Sequence, residues 1–327
     1  MAANAGTVQQ STQKTTQKTT RIRESLGDRF FMFCVYIFLF VILVIVLYPL
    51  IYVVSSSFSS PLAVSSGRVW LWPVDFSLRG YEVAFSNPQI ITGYANSLYY
   101  TIFGTLISVT LTVLVAYPLS RRTLFGRSGI MIFIVFTMIF YGGLIPTYLV
   151  VKNLGMLNTR WALLIPQALA AWQVIIARTF FQVNIPEELA EAAELDGCSD
   201  LRFLWSVVLP LSKPILAVLV LMYAVGQWNA YFDALLYLKS ADLYPLQLVL
   251  RSILILNTFT SGSMEASVMI ERQQLADLLK YSLIVVGSLP VLLIYPFAQR
   301  YFVRGMLIGS VKVKPAHLLQ PGPGNAK

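Results

Sequence analysis

Residues 31–54 read FMFCVYIFLFVILVIVLYPLIYVV and carry no charge. The hydrocarbon core of a bilayer requires about 20 helical residues, whereas a signal-peptide core has only about 7–15. The run therefore predicts a membrane span that is retained in the protein. The composition of the whole chain supports this prediction. Of its 327 residues, 57% are hydrophobic and 12% are charged, which is about half the charged fraction of a typical soluble domain.

Five further apolar runs predict five further spans. They lie within 94–120, within 128–151, from about 161 to 181, within 203–231 and at 281–299. The segment 243–259 is apolar too, but Arg251 within a span would cost about 2.5–3.5 kcal/mol on insertion scales. We expect an interfacial or protein-buried helix there, with a seventh span as the alternative. The sequence thus predicts an all-α integral membrane protein with six transmembrane helices.

The lysines and arginines predict the orientation. With six spans, 16 of the 24 fall on the side that holds both termini, and such residues concentrate in cytoplasmic loops. We therefore expect both termini in the cytoplasm, and we attribute the net charge of +9 to topology rather than to nucleic-acid binding.

The chain is expected to divide into three parts. A polar tail at 1–28 is expected to be disordered, 29–312 forms the membrane domain, and 313–327 is a flexible tail. The long outer segments 55–93 and 232–280 either dock an extracytoplasmic partner or only connect spans.

Several chemistries are excluded by composition. Two cysteines, Cys34 and Cys198, and the single His317 provide neither a Cys/His metal cluster nor a histidine-based catalytic triad. Nothing resembles a phosphate-binding loop, since no Gly-Lys-Ser/Thr occurs. The predicted spans contain essentially no carboxylate, which argues against an ion-driven transporter. The dense acidic cluster lies elsewhere, which argues against a membrane-embedded enzyme. No catalytic residue and no metal site are therefore predicted.

The segment between the fourth and fifth spans has an unusual composition. Residues 184–210 read NIPEELAEAAELDGCSDLRFLWSVVLP. Pro186 suits a first helical position, Gly197 a helix end, and Ser199 the cap of a second helix, which predicts two short helices at an angle. The segment has six acidic residues opposed only by Arg202. Such a helix suits a partner with a complementary groove, and an amphipathic surface helix is the alternative.

A family resemblance follows from this segment. The string Glu191-Ala192-Ala193, then Gly197, then Leu209-Pro210 resembles the Glu-Ala-Ala loop of ABC importer permeases, with Val207 where isoleucine is more usual. Three further stretches resemble the carbohydrate-importer branch, in particular the second permease of oligosaccharide systems. They are GGLIPTYLVVKNLGMLNT (142–159), GQWNAYFDAL (226–235) and QRYFVRGMLIGSVK (299–312).

The resemblance implies a subunit rather than an enzyme. It implies a permease of the bacterial cytoplasmic membrane, embedded in lipid, which encloses a pathway together with a homologous permease. An extracytoplasmic solute-binding protein would deliver a carbohydrate, and a cytoplasmic ATPase dimer would bind Mg-ATP, so this chain itself would hold no cofactor. An importer of amino acids, peptides or an inorganic anion is the alternative. The coupling helix that contacts the ATPase would be formed by Glu187, Glu188, Glu191, Ala192, Ala193, Asp196 and Gly197, followed by Leu209 and Pro210.

Polar and aromatic residues within the spans are candidates for the substrate pathway, because polar groups are costly in lipid. For each of them, hydrogen bonding between helices is the alternative. The absence of a fixed charge in the middle of the spans favours a neutral or weakly charged solute over a tightly bound ion. The candidates are Asn96, Gln167, Gln173, Gln227, Trp228, Asn229 and Tyr231.

Overall fold

The computed structural model describes the backbone of residues 26–259 and 266–310, and the side chains of 26–253 and 273–296. Every regular element in these ranges is helical, which confirms the all-α class. Both predicted tails lie largely outside the described residues, and so do the side chains of the stretch 299–312. The chain divides after Ile51 into two units.

The first unit contains most of helix α1, which runs from Leu26 to Ser57. This helix is long and apolar enough to cross a membrane, as the run 31–54 predicts. Apart from Val35, its side chains from Leu26 to Leu50 are exposed. An apolar surface of this kind is expected to contact lipid or another protein chain rather than water.

The second unit begins at Tyr52 and holds the other helices. Its first half comprises α2 (Pro61–Ser65), α3 (Arg79–Ser86), α4 (Pro88–Ser120), α5 (Arg127–Ile139), α6 (Leu144–Asn153), α7 (Trp161–Leu164) and α8 (Ala171–Asn184). Next come α9 (Glu187–Leu195), α10 (Asp200–Phe203), a π-helical turn (Leu204–Val208), α11 (Leu209–Leu211) and α12 (Lys213–Asn229). The last are α13 (Phe232–Tyr237), a 3₁₀ turn (Ala241–Leu243), α14 (Leu246–Phe259) and α15 (Ala266–Ser310).

Helix α4 lies at the centre of the second unit, where it packs against α8, α12 and α14. Small residues make this close packing possible, as is usual between membrane helices. A Cβ at Gly104 would lie 2.7 Å from the Cδ of Gln227 on α12, so only glycine fits without movement. Further along, the buried hydroxyls of Thr112 and Tyr223 are hydrogen-bonded at 2.7 Å.

The predicted count of six continuous spans is not confirmed. The described residues contain three helices of spanning length and hydropathy, or up to five if each of two bent pairs is one span. The third predicted span consists of α5 and α6, which meet at 113° across a break where Gly143 has φ +89°. The fifth is bent by 85° between residues 200–211 and α12.

The fourth predicted span, 161–181, is not one helix. It consists of the four-residue α7 and the 14-residue α8, and Pro166 lies between them. Proline has no backbone N–H and disfavours a helical conformation in the residue before it. Hydropathy detects the apolar content of such a segment but not the interruption.

The final predicted span, 281–299, lies within α15. The part of α15 whose side chains are described, Gln273–Pro296, is long and apolar enough to cross a membrane. It includes Asp277 and Lys280, which are ion-paired at 2.7 Å. By contrast, α14 agrees with the expected protein-buried helix, since Leu246 and Val249 are buried against α4 and α15.

Candidate functional site

Helix α9 carries the acidic segment. It begins at Glu187, with Pro186 as the residue before the helix rather than at its predicted first position. The carboxylates of Glu187 and Glu188 lie in the first turn, where they interact favourably with the helix dipole. The helix ends at Leu195, two residues before Gly197.

Gly197 ends α9 in the predicted place through its backbone conformation. Its φ is +69°, a left-handed value that favours glycine. The N–H of Gly197 donates to the carbonyl of Glu194 at 3.0 Å, and the N–H of Cys198 donates to that of Ala193 at 2.9 Å. This pair of bonds is the Schellman motif. A Cβ at Gly197 would meet nothing within 4 Å, so only the backbone conformation restricts this position.

The predicted second short helix is present as α10, and it continues through the π-helical turn into α11. Ser199 precedes it with extended backbone angles, but its side chain makes no capping hydrogen bond. Leu209 and Pro210 form most of α11. The chain then turns by 85° into α12, so the second short helix is joined to a membrane helix at a sharp bend.

The inner face of this segment packs on the membrane helices. Ala190 of α9 and Phe203, Leu204 and Val208 are buried in one cluster with residues of α4 and α8. That cluster includes Tyr117 from α4, together with Ala116, Ala177 and Phe181. The short helices α9 and α10 therefore share one buried cluster with the membrane helices α4 and α8.

The outer face is open and unusual in composition. Glu188, Glu191 and Ala192 are exposed, as are Asp196 and Gly197. Leu195 is 90% exposed. Trp205 in the following turn is 69% exposed. Exposed large apolar side chains such as Leu195 and Trp205 are a feature of protein-binding surfaces.

Two arginines that follow α4 are paired with α9. The Nη2 of Arg121 lies 3.8 Å from Oε1 of Glu194, and the Nε of Arg122 lies 3.4 Å from Oε2 of Glu187. Within the segment itself, only Arg202 opposes the acidic residues. Arg121 and Arg122 could not be recognised as partners from the sequence, because they lie more than sixty residues earlier in the chain. A cavity of about 460 Å³ lies here, lined by Arg121, Arg122, Arg127 and Glu188 among others.

Two of the predicted pathway residues, Asn229 and Tyr231, line one cavity. The cavity has a volume of about 750 Å³ and lies between the end of α12, α14 and α15. Its wall also includes Gln247 and Arg251 of α14. Sequence reasoning missed Arg251, because it placed the segment 243–259 outside the spans. The sequence feature that could have identified it is the arginine within an apolar run, since a charge there has a high free-energy cost and often marks a functional site.

Two other candidates are buried and bonded between helices. Asn96 of α4 donates from Nδ2 to the carbonyls of Asp242 at 2.6 Å and Tyr244 at 3.2 Å. Trp228 is 3% exposed and donates from Nε1 to the carbonyl of Gly287 at 2.8 Å. Hydrogen bonding between elements, the alternative left open by the sequence, accounts for both side chains.

The remaining candidates lie apart from the cavity wall. Gln227 packs against Gly104, and Gln173 is half-buried. Gln167 donates from Nε2 to Oδ2 of Asp233 at 2.7 Å. Burial raises the pKa of Asp233 above its usual value, and the hydrogen bond from Gln167 opposes this rise.

No group of three or more His, Cys, Asp or Glu side chains in the described part of the chain is arranged to hold a metal ion.

Comparison with individual known proteins, rather than with family models, identifies the family of the chain. No family model matches it. It is 43% identical over 287 residues to the polygalacturonan/rhamnogalacturonan transport system permease protein YtcP of Bacillus subtilis, which covers 88% of this chain and 100% of that protein. It is also 41% identical over 293 residues to protein LplC of the same organism, covering 89% and 98% of the two chains.

A solved structure extends the comparison to the fold. The chain is similar, with a TM-score of 0.79 and 35% identity, to a chain in the crystal structure of a bacterial ABC transporter involved in the import of the acidic polysaccharide alginate. The match covers 85% of this chain and 99% of that one. An all-helical chain with several membrane-crossing helices and this similarity is a multi-pass membrane protein. It belongs to the ABC transporter permeases, in their carbohydrate-importing branch.

Proposed function

We propose that the chain is one of two transmembrane permease subunits of an ATP-driven importer for an oligosaccharide. The observation that carries this proposal is similarity over nearly the whole length both to a polysaccharide-system permease and to a subunit of a solved alginate importer. These likenesses favour a carbohydrate over an amino acid, a peptide or an inorganic anion. A second permease encloses the pathway with this chain, and a binding protein outside the cell delivers the solute.

The outer face of α9 is the proposed contact with a separate ATPase subunit. Exposed Glu188, Glu191 and Ala192 would enter a groove on that subunit, with Leu195 beside them. The buried cluster that Ala190 shares with residues of α4 and α8 would link closure of the ATPase dimer to the membrane helices. In this proposal the hydrolysis of Mg-ATP takes place on the ATPase subunit rather than on this chain.

The proposed topology follows from the same contact. Because the ATPase is cytoplasmic, α9 and α10 lie at the cytoplasmic face of the bacterial membrane, and both termini lie on that side. The concentration of lysine and arginine on one side of the predicted spans supports this orientation.

The proposed substrate pathway runs past the exposed side chains of Asn229 and Tyr231, which line the cavity of about 750 Å³. An amide and a phenol are suited to hydrogen-bonding sugar hydroxyls, and an aromatic ring offers an apolar face to a sugar ring. Trp228 supports the cavity wall through its hydrogen bond to the carbonyl of Gly287, which lines the cavity.

Uptake by the reconstituted complex tests this function. The complex is purified from its native membrane, inserted into vesicles with its binding protein, and offered radiolabelled oligosaccharides, amino acids, peptides and phosphate. We expect ATP-dependent uptake of an oligosaccharide. Uptake of one of the other solutes with no saccharide uptake would contradict the carbohydrate assignment.

A further inference from the structure

The cavity beside α12 contains a positive charge that forms no ion pair with the described side chains. Arg251 lies on its wall, and none of the four ion pairs between described side chains involves it. Its described interaction is with Tyr231, whose ring centroid lies 5.9 Å from the guanidinium carbon. The guanidinium is exposed, although the residues before it on α14, from Leu248 to Leu250, are buried.

Polar groups near Arg251 are also available for hydrogen bonds to a solute. Gln247 lies one helical turn before Arg251 on α14, and it forms no hydrogen bond with the described residues. Asn229 uses its Nδ2 to bond the carbonyl of Val225 at 2.8 Å, which leaves its Oδ1 without a donor in the described part of the chain. Apart from Gly287 and Ser288, the rest of the wall is apolar and includes Leu250, Leu283 and Val291.

This combination is suited to one class of solute. A guanidinium presents a planar set of N–H donors that match a carboxylate, often through two parallel hydrogen bonds. A neutral sugar needs hydroxyl partners and an aromatic face but no fixed charge. The described side chains provide no carboxylate for Arg251, and a carboxylate on the solute would provide one.

We propose that the transported oligosaccharide is acidic, with hexuronate units, and that Arg251 binds a uronate carboxylate while Tyr231 supports the sugar ring. This inference rests on the proposed function. It revises the expectation of a neutral or weakly charged solute, which considered only the charges within the predicted spans and therefore omitted α14.

Uptake of charged and neutral oligosaccharides tests the inference. The complete importer, reconstituted with its binding protein, is offered oligogalacturonate and the neutral galactose oligomer of the same length. We expect the wild-type complex to take up the uronate. Arg251→Gln should raise the concentration for half-maximal uptake about tenfold or more, as expected for losing charge-assisted hydrogen bonds. Arg251→Lys keeps the charge and should have a smaller effect.

Lys239→Gln is the matched control, because Lys239 is an exposed cation outside the cavity wall, and its removal should leave uptake within twofold. All variants are first checked for co-purification with their partners and for basal ATPase activity. Uronate uptake within twofold of wild type in Arg251→Gln would overturn the role of Arg251. Uptake of the neutral oligomer alone would contradict the proposal of an acidic substrate but would remain consistent with a carbohydrate importer. Uptake of no saccharide would instead contradict the proposed function.

Discussion

The Nε of Arg122 lies 3.4 Å from Oε2 of Glu187, so the loop after α4 is ion-paired to the first turn of α9. The side chains are 77% and 39% exposed, and exposed pairs contribute about 0–1 kcal/mol. We therefore expect Arg122→Gln to lower the free energy of unfolding by less than about 1 kcal/mol. A double-mutant cycle with Glu187→Gln, measured by thermal unfolding in detergent, gives the interaction energy. A value above about 2 kcal/mol would show that the pair is more strongly desolvated than its exposure implies.

The second prediction concerns the left-handed residue at the end of α9. Gly197→Ala should destabilise the segment by about 1–2 kcal/mol, because φ of +69° is unfavourable for a residue with a Cβ. Gly197→Asn is the matched control and should cost less, since asparagine tolerates this conformation. Limited proteolysis of the 196–199 turn compares the two variants. Equal protection of alanine and asparagine variants would mean that backbone conformation is not what restricts this position.

The third prediction tests the proposed ATPase contact. Glu191 is exposed on the outer face of α9, so Glu191→Lys should leave the chain folded in the membrane while reversing the charge presented to the groove. We expect ATP hydrolysis to continue and uptake to fall at least tenfold. The readout is the number of solutes transported per ATP. Glu82→Lys, on an exposed position of α3, provides the same charge change elsewhere and should leave that ratio unchanged. Normal coupling in Glu191→Lys would count against the role of α9.

The fourth prediction tests the proposed topology. In a chain with Cys34→Ser and Cys198→Ser, a cysteine at the exposed position 199 should react with a membrane-impermeant maleimide only from the cytoplasmic side. A cysteine placed at Ser65, which is exposed in an expected outer segment, should react only from outside. Labelling of position 199 by the impermeant reagent in intact cells would show that the orientation is opposite to the proposed one.

Sequence patterns predict a structural feature well where that feature depends only on residues close together in the chain. The helix around Glu191 and its end near Gly197 follow from helix propensity and from one left-handed glycine, and both are found. The continuity of the spans could not be predicted in the same way. Pro166 and Gly143 lie inside apolar runs, and hydropathy does not distinguish a kink from a break of 113°.

The site depends on contacts between distant residues, which explains what the sequence missed. Asn96 bonds to the backbone of residues 242 and 244, and Arg251 reaches the cavity wall because α14 packs against α4 and α15. Polar residue type alone could not distinguish Asn229, on a cavity wall, from buried Trp228.

In the proposed function, this chain is one subunit of a larger importer. Mild-detergent affinity purification of the chain from its native membrane, with identification of the co-purifying proteins, tests it most directly. We predict recovery of a homologous permease and of an ATPase that has a phosphate-binding loop. Recovery of this chain alone, with transport intact after reconstitution, would contradict the account.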